Sequence, residues 1–403
     1  MKKDTEYDQA DTSDIVVIGA ARTAQGRLMG QLATLSAVDL GGAAITGALA
    51  RARIAPAAVD AVIMGQVLQS GTGQNPARQS ATAAGIPLRA HAATVNKVCL
   101  SGLAAIIEGT RMLRLGDASV VVAGGQESMS QSPRLVAGTR AGMAYGALEL
   151  EDAAARDGLT DAFTHETMGL ATDRANGPLG ISREQQDAFA ASSHRRASRA
   201  SQAGVWSEEI VPVKVHPRKG PVVEVTEDEG IRPDVTPEAL GRLRPAFSPE
   251  GTITAGSASP LTDGAAAVVL CRRGTAERIG LPVLAVLRSY AQIAGPDTTL
   301  PDKPAKALQT ALAAEAWTVG DLDLIEINEA FASVAIHSAA LLGMGPEKIN
   351  VNGGALALGH PIGASGARLV VTAVHELVRR QSGKAAVALC GGGGQGDALL
   401  LER

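Results

Sequence analysis

The chain has 403 residues, is 45% hydrophobic but only 2% aromatic, and contains 46 glycines. That length supports two or three domains with large cores, and so few aromatics point to cores of Ala, Val, Leu and Ile with elements in close approach. A formal charge of -4 and a pI near 6.0 give no bulk basicity, which argues against nucleic acid or an anionic membrane surface as partner.

Three widely spaced cysteines, Cys99, Cys271 and Cys390, contain no CxxC pair, so neither a disulfide framework nor a metal site is expected. Residues 1–14 are polar and mixed in charge, unlike a signal or transit peptide, and no apolar run approaches membrane-spanning length. A reducing, cytoplasmic setting is the expectation.

In chain order, residues 15–20 read as a short buried strand and 36–52 as a helix. Residues 60–65 read as a second strand. A Gly/Asn/Pro loop over 71–77 leads into a helix ending near Ala84. Thr94-Val95-Asn96-Lys97-Val98-Cys99-Leu100-Ser101-Gly102-Leu103 then reads as a β-branched strand turning sharply into a helix, with a cysteine at the joint. Residues 119–125 form another apolar strand. Strands alternating with helices imply a mostly parallel sheet covered on both faces.

From about 130 to 250 the texture changes to charge, loops and prolines, with helical pieces near 183–203, as in an inserted subdomain. The alternation then resumes: strands at 265–270 and 323–328, a helix over 329–342, a short extended piece at 349–352, a helix over 363–380 and a last buried strand at 385–390. The two stretches repeat each other. Strand 60–65 corresponds to 323–328, the turn at Cys99 to the turn at His360, and strand 120–125 to 387–392. A duplicated α/β domain would set two equivalent turns face to face.

The chemistry concentrates at those turns. A thiol at a helix N-terminus meets unpaired N–H groups and the positive end of the dipole, which favours the nucleophilic thiolate. A lone cysteine is just as well a packing residue. Gly359-His360-Pro361-Ile362-Gly363 sets an imidazole before a helix, with Pro361 read at its first position. Asn328 ends a strand at the carboxyl edge of the sheet, either as part of a site or as a helix N-cap. Gly391, Gly393 and Gly396 satisfy GxGxxG, but seven residues remain after them, too few for a dinucleotide fold. That stretch reads instead as a turn exposing Cys390 and backbone N–H groups to a cavity.

Together these segments resemble the thiolase family. Val95-Asn96-Lys97-Val98-Cys99-Leu100-Ser101-Gly102-Leu103 is similar to its nucleophile motif, Asn328-Glu329-Ala330-Phe331 to its NEAF motif, Gly353-Gly354-Ala355-Leu356-Ala357-Leu358-Gly359-His360-Pro361 to its histidine motif, and Cys390-Gly391-Gly392 to its CxG motif. Gly125-Gln126-Glu127-Ser128-Met129-Ser130 and Gly73-Gln74-Asn75-Pro76-Ala77-Arg78-Gln79 match as well. The resemblance runs from about Ile15 to the end.

It implies duplicated α/β domains in a layered α/β/α/β/α architecture: an N-terminal half at 12–130 completed by about 250–283, an inserted CoA-binding loop domain at 131–249, and a C-terminal half at 284–403. It implies an acetyl-CoA C-acetyltransferase using acyl-CoA and CoA as substrates, without a cofactor, and a homodimer or homotetramer. Cys99 would carry the acyl group, His360 would take its proton, and Cys390 would serve as base or acid at the α-carbon. Asn328 would hold a water beside His360, and the N–H groups of Cys99 and Gly392 would form a second oxyanion pocket. Ser259, Arg232, Ala330, Phe331 and Met168 would contact CoA, with Arg218 and Lys219 as basic neighbours of Arg232.

Departures bear on acyl-chain length. Leu100 replaces the Gly or Ala common in thiolases. Thr167 stands where short-chain members often have His, with His165 two positions earlier. Thr299-Leu300-Pro301-Asp302-Lys303-Pro304 replaces a glycine-rich segment. The alternatives are a broad-chain 3-ketoacyl-CoA thiolase of β-oxidation, a decarboxylating ketoacyl synthase, and a non-catalytic acyl-CoA or lipid-binding protein.

Overall fold

A computed structural model describes residues 13–217 and 220–403. Its first half contains β1 (Ile15–Thr23), α1 (Ala37–Ala52), β2 (Ala61–Gly65), α2 (Pro76–Ala83), β3 (His91–Val95), α3 (Ser101–Leu115) and β4 (Val120–Ser128). A long excursion carries α4 (Met168–Asn176) and α5 (Arg183–Gln202). The second half contains β5 (Thr262–Arg272), β6 (Ala285–Ala294), α6 (Lys303–Glu315), β7 (Leu324–Ile327), α7 (Ala332–Leu341), α8 (Ala355–Leu358), α9 (Ser365–Arg380), β8 (Lys384–Gly391) and β9 (Gln395–Glu402).

The strands lie in the order β7-β8-β9-β6-β1-β5-β4-β2-β3. β5 pairs with both β1 and β4, so the chain returns to its first half after the excursion. The halves meet where β1 pairs with β6. The sheet is mixed rather than mostly parallel. Among the described residues, parallel pairing is confined to β2 with β3 and β4, β7 with β8, and the short piece 210–211 against the end of β1. The glycine turn at 392–394 sends β9 straight back along β8, and such a tight turn permits only antiparallel pairing. The 349–352 piece forms no strand; Ile349 makes a single parallel bridge to Ile325.

Alternation along the strands separates the layers. Val121, Ala123, Val268 and Leu270 join Val387, Leu389, Leu399 and Leu401 around α3 and α9, at the centre. Their neighbours Val122, Ala267 and Val269 face α1. Ala386, Ala388, Ala398 and Leu400 face α6 and α7. Helices thus cover both outer faces and fill the middle, giving α/β/α/β/α.

The central helices meet at glycines. A Cβ on Gly102 would stand 2.8 Å from the Ala367 nitrogen, and one on Gly366 would stand 2.5 Å from the Leu103 nitrogen. Only residues without side chains permit that approach at both helix starts. It brings the turns preceding α3 and α9 together, and these carry Cys99 and His360.

Candidate active site

Val98 adopts φ 51°, costly for a β-branched residue. Asn96 Oδ1 accepts from the Val98 N–H at 3.0 Å, and Ser101 Oγ accepts from Lys97 N–H at 2.8 Å while donating to Val98 O at 2.6 Å. This local network holds Cys99 just ahead of α3, with Leu100 at the N-cap position. Cys99 lines a cavity of about 510 Å³ with His360, Gly392, Met168, Ser259, Ala330 and Phe331, among others. The walls are largely apolar, and Phe247 and Phe331 meet edge to face.

Burial decides the resting charge of Cys99. The N–H groups of Cys99 and Gly392 face its sulfur and lower its pKa, but desolvation outweighs them and pushes the thiol up to about 12. Desolvation thus opposes the helix-dipole preference for thiolate at this turn. Burial also drives His360 down to about 3, so the pair rests as neutral thiol and neutral imidazole. Cys390 is fully buried, and desolvation together with the nearby Cys99 raises its pKa strongly. Cys271 is likewise buried, on β5, away from this wall.

His360 has an assignable tautomer. Its Nδ1 lies 2.5 Å from Ser365 Oγ, and Ser365 Oγ lies 3.0 Å from Pro361 O. The single hydroxyl proton goes to the carbonyl, which cannot donate. Ser365 therefore accepts Nδ1–H, and Nε2 is left unprotonated, with its lone pair as an acceptor. Asn328 Nδ2 lies 3.4 Å from that Nε2, while buried Asn328 Oδ1 has no protein partner. Asn328 caps no helix: α7 begins at Ala332, and 328–331 are an extended turn. Pro361 likewise precedes α9, which starts at Ser365.

Buried carboxylates fix these turns. Glu329 accepts from Ser193 Oγ, Asn350 Nδ2 and the Leu356 N–H, tying the 328–331 turn to α5 and α8. Glu127 accepts from the N–H groups of Val67, Leu68 and Gly363; burial raises its pKa to about 7. Sequence reading gave no role to Ser365 or Phe247, whereas Leu300, in the departing 299–304 segment, does line the cavity. Ser365 was discoverable, since a serine starting a helix five residues after a histidine can turn back to the ring.

The remaining candidates divide. Ser259 N–H and Oγ both donate to Ala330 O at 3.0 Å, joining two wall segments. Arg232 is exposed and off the cavity wall, with its N–H donating to His194 Nδ1. Arg218 and Lys219 lie outside the described residues. Thr167 caps α4 and lines the cavity, whereas His165 is exposed and does not. Among the described residues, no group of three or more His, Cys, Asp or Glu is placed to hold a metal ion, and no helix is long and apolar enough to cross a membrane.

A cysteine turn from one half and a histidine turn from the other, facing one apolar cavity in a duplicated α/β fold, define a class, and family comparison agrees with it. Residues 15–274 match the thiolase N-terminal domain and residues 281–403 the thiolase C-terminal domain. The chain belongs to the thiolase family.

Individual relatives are similar over nearly their full length. A probable acetyl-CoA acetyltransferase of Mycolicibacterium smegmatis is 51% identical over 96% of this chain and 100% of its own. The acetyl-CoA acetyltransferase of Cupriavidus necator is 46% identical over 97% of this chain and 100% of its own. The crystal structure of the Bacillus anthracis acetyl-CoA acetyltransferase superposes with a TM-score of 0.94 at 37% identity, covering 97% of this chain and 98% of that one.

Proposed function

We propose that this thiolase is an acetyl-CoA C-acetyltransferase, condensing two acetyl-CoA molecules or cleaving acetoacetyl-CoA through an acyl group on Cys99. The observation that carries the reading is the presence of Cys99, His360 and Gly392 on one cavity wall, with the buried Cys390 close enough to Cys99 to feel its charge.

The protons can be followed. His360 Nε2 takes the Cys99 proton as sulfur attacks the thioester carbonyl. The Cys99 and Gly392 N–H groups receive the oxyanion as the tetrahedral adduct forms. CoA leaves as thiolate and takes the Cys390 proton. Cys390 is then a thiolate in a buried position, hence strongly basic, and removes an α-proton from a second acetyl-CoA. Imidazolium and a water on Asn328 stabilise the enolate oxygen. The enolate carbon attacks the acyl group, and the released Cys99 thiolate recovers its proton from His360. No proton is gained or lost overall.

Ser259, Met168, Ala330 and Phe331 are assigned to the pantetheine arm, and Arg232, outside the cavity, to the phosphate end of CoA. The halves are assigned to 12–130 with 250–283 and to 284–403, with 131–249 as the loop domain. The sheet ends at β3, and that open edge supports pairing with a second copy in a homodimer or a homotetramer. Three free cysteines suit a cytoplasmic enzyme working without a cofactor.

The test is loss of acetoacetyl-CoA enolate absorbance on adding CoA, with mass analysis for acetyl on Cys99. Activity confined to acetoacetyl-CoA supports the reading. Activity rising with chain length would replace it with the broad-chain thiolase, and no adduct on Cys99 would defeat both.

A further inference from the structure

We propose that Leu100 is a positioning residue for acyl transfer: its side chain fills the space left open by Gly391 and so sets the spacing of the Cys99 and Gly392 oxyanion donors. The inference rests on the acyl-enzyme reading above.

Leu100 follows Cys99 directly and is fully buried. Gly391 is the last residue of β8, between Cys390 and Gly392. A Cβ on Gly391 would stand 2.6 Å from Leu100 Cγ and 2.9 Å from Cδ1. The missing side chain at 391 and the large one at 100 are thus two sides of one contact. One donor N–H belongs to the residue before Leu100, and the other to the residue after Gly391. Both point at the Cys99 sulfur. Leu100 therefore acts as the spacer between the nucleophile turn of one half and the Cys390 turn of the other. With Ala in its place, the end of β8 is free to shift toward α3, and the donors lose their convergence.

The experiment compares kcat, KM and acyl-adduct formation for four variants and a control. Leu100→Ala should lower kcat by about tenfold to a hundredfold, the range for a misplaced oxyanion donor, with KM for acetoacetyl-CoA unchanged. Leu100→Val should fall between it and wild type, and keeps the test open should Leu100→Ala fail to fold. Gly391→Ala drives its methyl into Leu100 and should lose activity. In L100A/G391A the new methyl occupies the vacated volume, and kcat should rise above that of Gly391→Ala.

Leu113→Ala, at the far end of α3 in the same buried cluster, should lower Tm while leaving kcat near wild type. That separates positioning from general stability. Wild-type kcat in folded Leu100→Ala or Leu100→Val overturns the inference, and so does a double variant no better than Gly391→Ala. An unacylated wild-type Cys99 removes the reading beneath it, and the inference falls with it. An acylating wild type with an unaffected Leu100→Ala removes the inference alone.

Discussion

Ser365→Ala removes one buried oxygen from behind the His360 imidazole, at the 2.5 Å contact with Nδ1. Two effects follow. The Nδ1–H of a buried ring loses its acceptor, which costs about 1–3 kcal/mol. That same energy had favoured the Nδ1–H tautomer, the one whose Nε2 can take the Cys99 proton. Losing it lets the Nε2–H tautomer compete, and that form presents a proton where a lone pair is needed. At 1.4 kcal/mol per factor of ten, the active tautomer is disfavoured by roughly 5- to 150-fold, so kcat should fall by about one to two orders of magnitude. Substrate binding uses other groups, so KM should hold. The assay is pre-steady-state acetylation of Cys99, monitored by rapid quench and mass analysis. Ser365→Thr keeps the hydroxyl and should recover most of the rate. Acetylation of folded Ser365→Ala at the wild-type rate would refute the tautomer assignment.

Other outcomes follow from the same geometry. Cys390→Ala should still acetylate Cys99 but lose condensation, detected as stable adduct without turnover; normal turnover would move the α-carbon base elsewhere. Alkylation of Cys99 by iodoacetamide, without substrate, should rise about tenfold per pH unit from pH 6 to 9 with no plateau, because a thiol held near 12 gains thiolate throughout that range; a plateau near pH 6 would mean a resting ion pair instead. Gly366→Ala places a methyl 2.5 Å from the Leu103 nitrogen, and such overpacking should cost about 1–3 kcal/mol and lower Tm by several degrees; an unchanged Tm would show that the helix crossing has slack.

Much of the architecture was legible in local pattern. The apolar runs at 119–125 and 385–390 read as buried strands, because a β-strand facing two helix layers has no side open to solvent. Sheet direction was not legible. The excursion from β4 to β5 and the short return from β8 to β9 follow from chain path, and no residue type marks either as antiparallel. Of the motif residues, Cys99, His360 and Gly392 come to line one cavity. The desolvation that pushes the Cys99 thiol up was not legible in sequence, because it comes from segments far along the chain. Of the two readings left open for Asn328, the helix cap fails for a related reason: tertiary bonds from Ser193, Asn350 and Leu356 to Glu329 hold the 328–331 turn ahead of α7, outweighing the local preference for starting a helix.

The duplication also accounts for the division of labour between the turns. Ser101 and Ser365 occupy equivalent positions, each the first residue of a central helix and each followed by a crossing glycine. Ser101 spends its hydroxyl on its own turn, accepting from Lys97 and donating to Val98, and thereby holds the strained backbone that presents Cys99. Ser365 also donates within its turn, to Pro361, but its free lone pair accepts from His360 instead of from backbone. The same kind of helix start can thus steady a backbone in one half and orient a side chain in the other. The difference lies in where the reactive group sits. A cysteine two residues before the serine is carried by the main chain, whereas a histidine five residues before it brings its ring back to the hydroxyl. The glycine crossing then sets the Cys99 and His360 turns against one cavity without either half having to build a complete site.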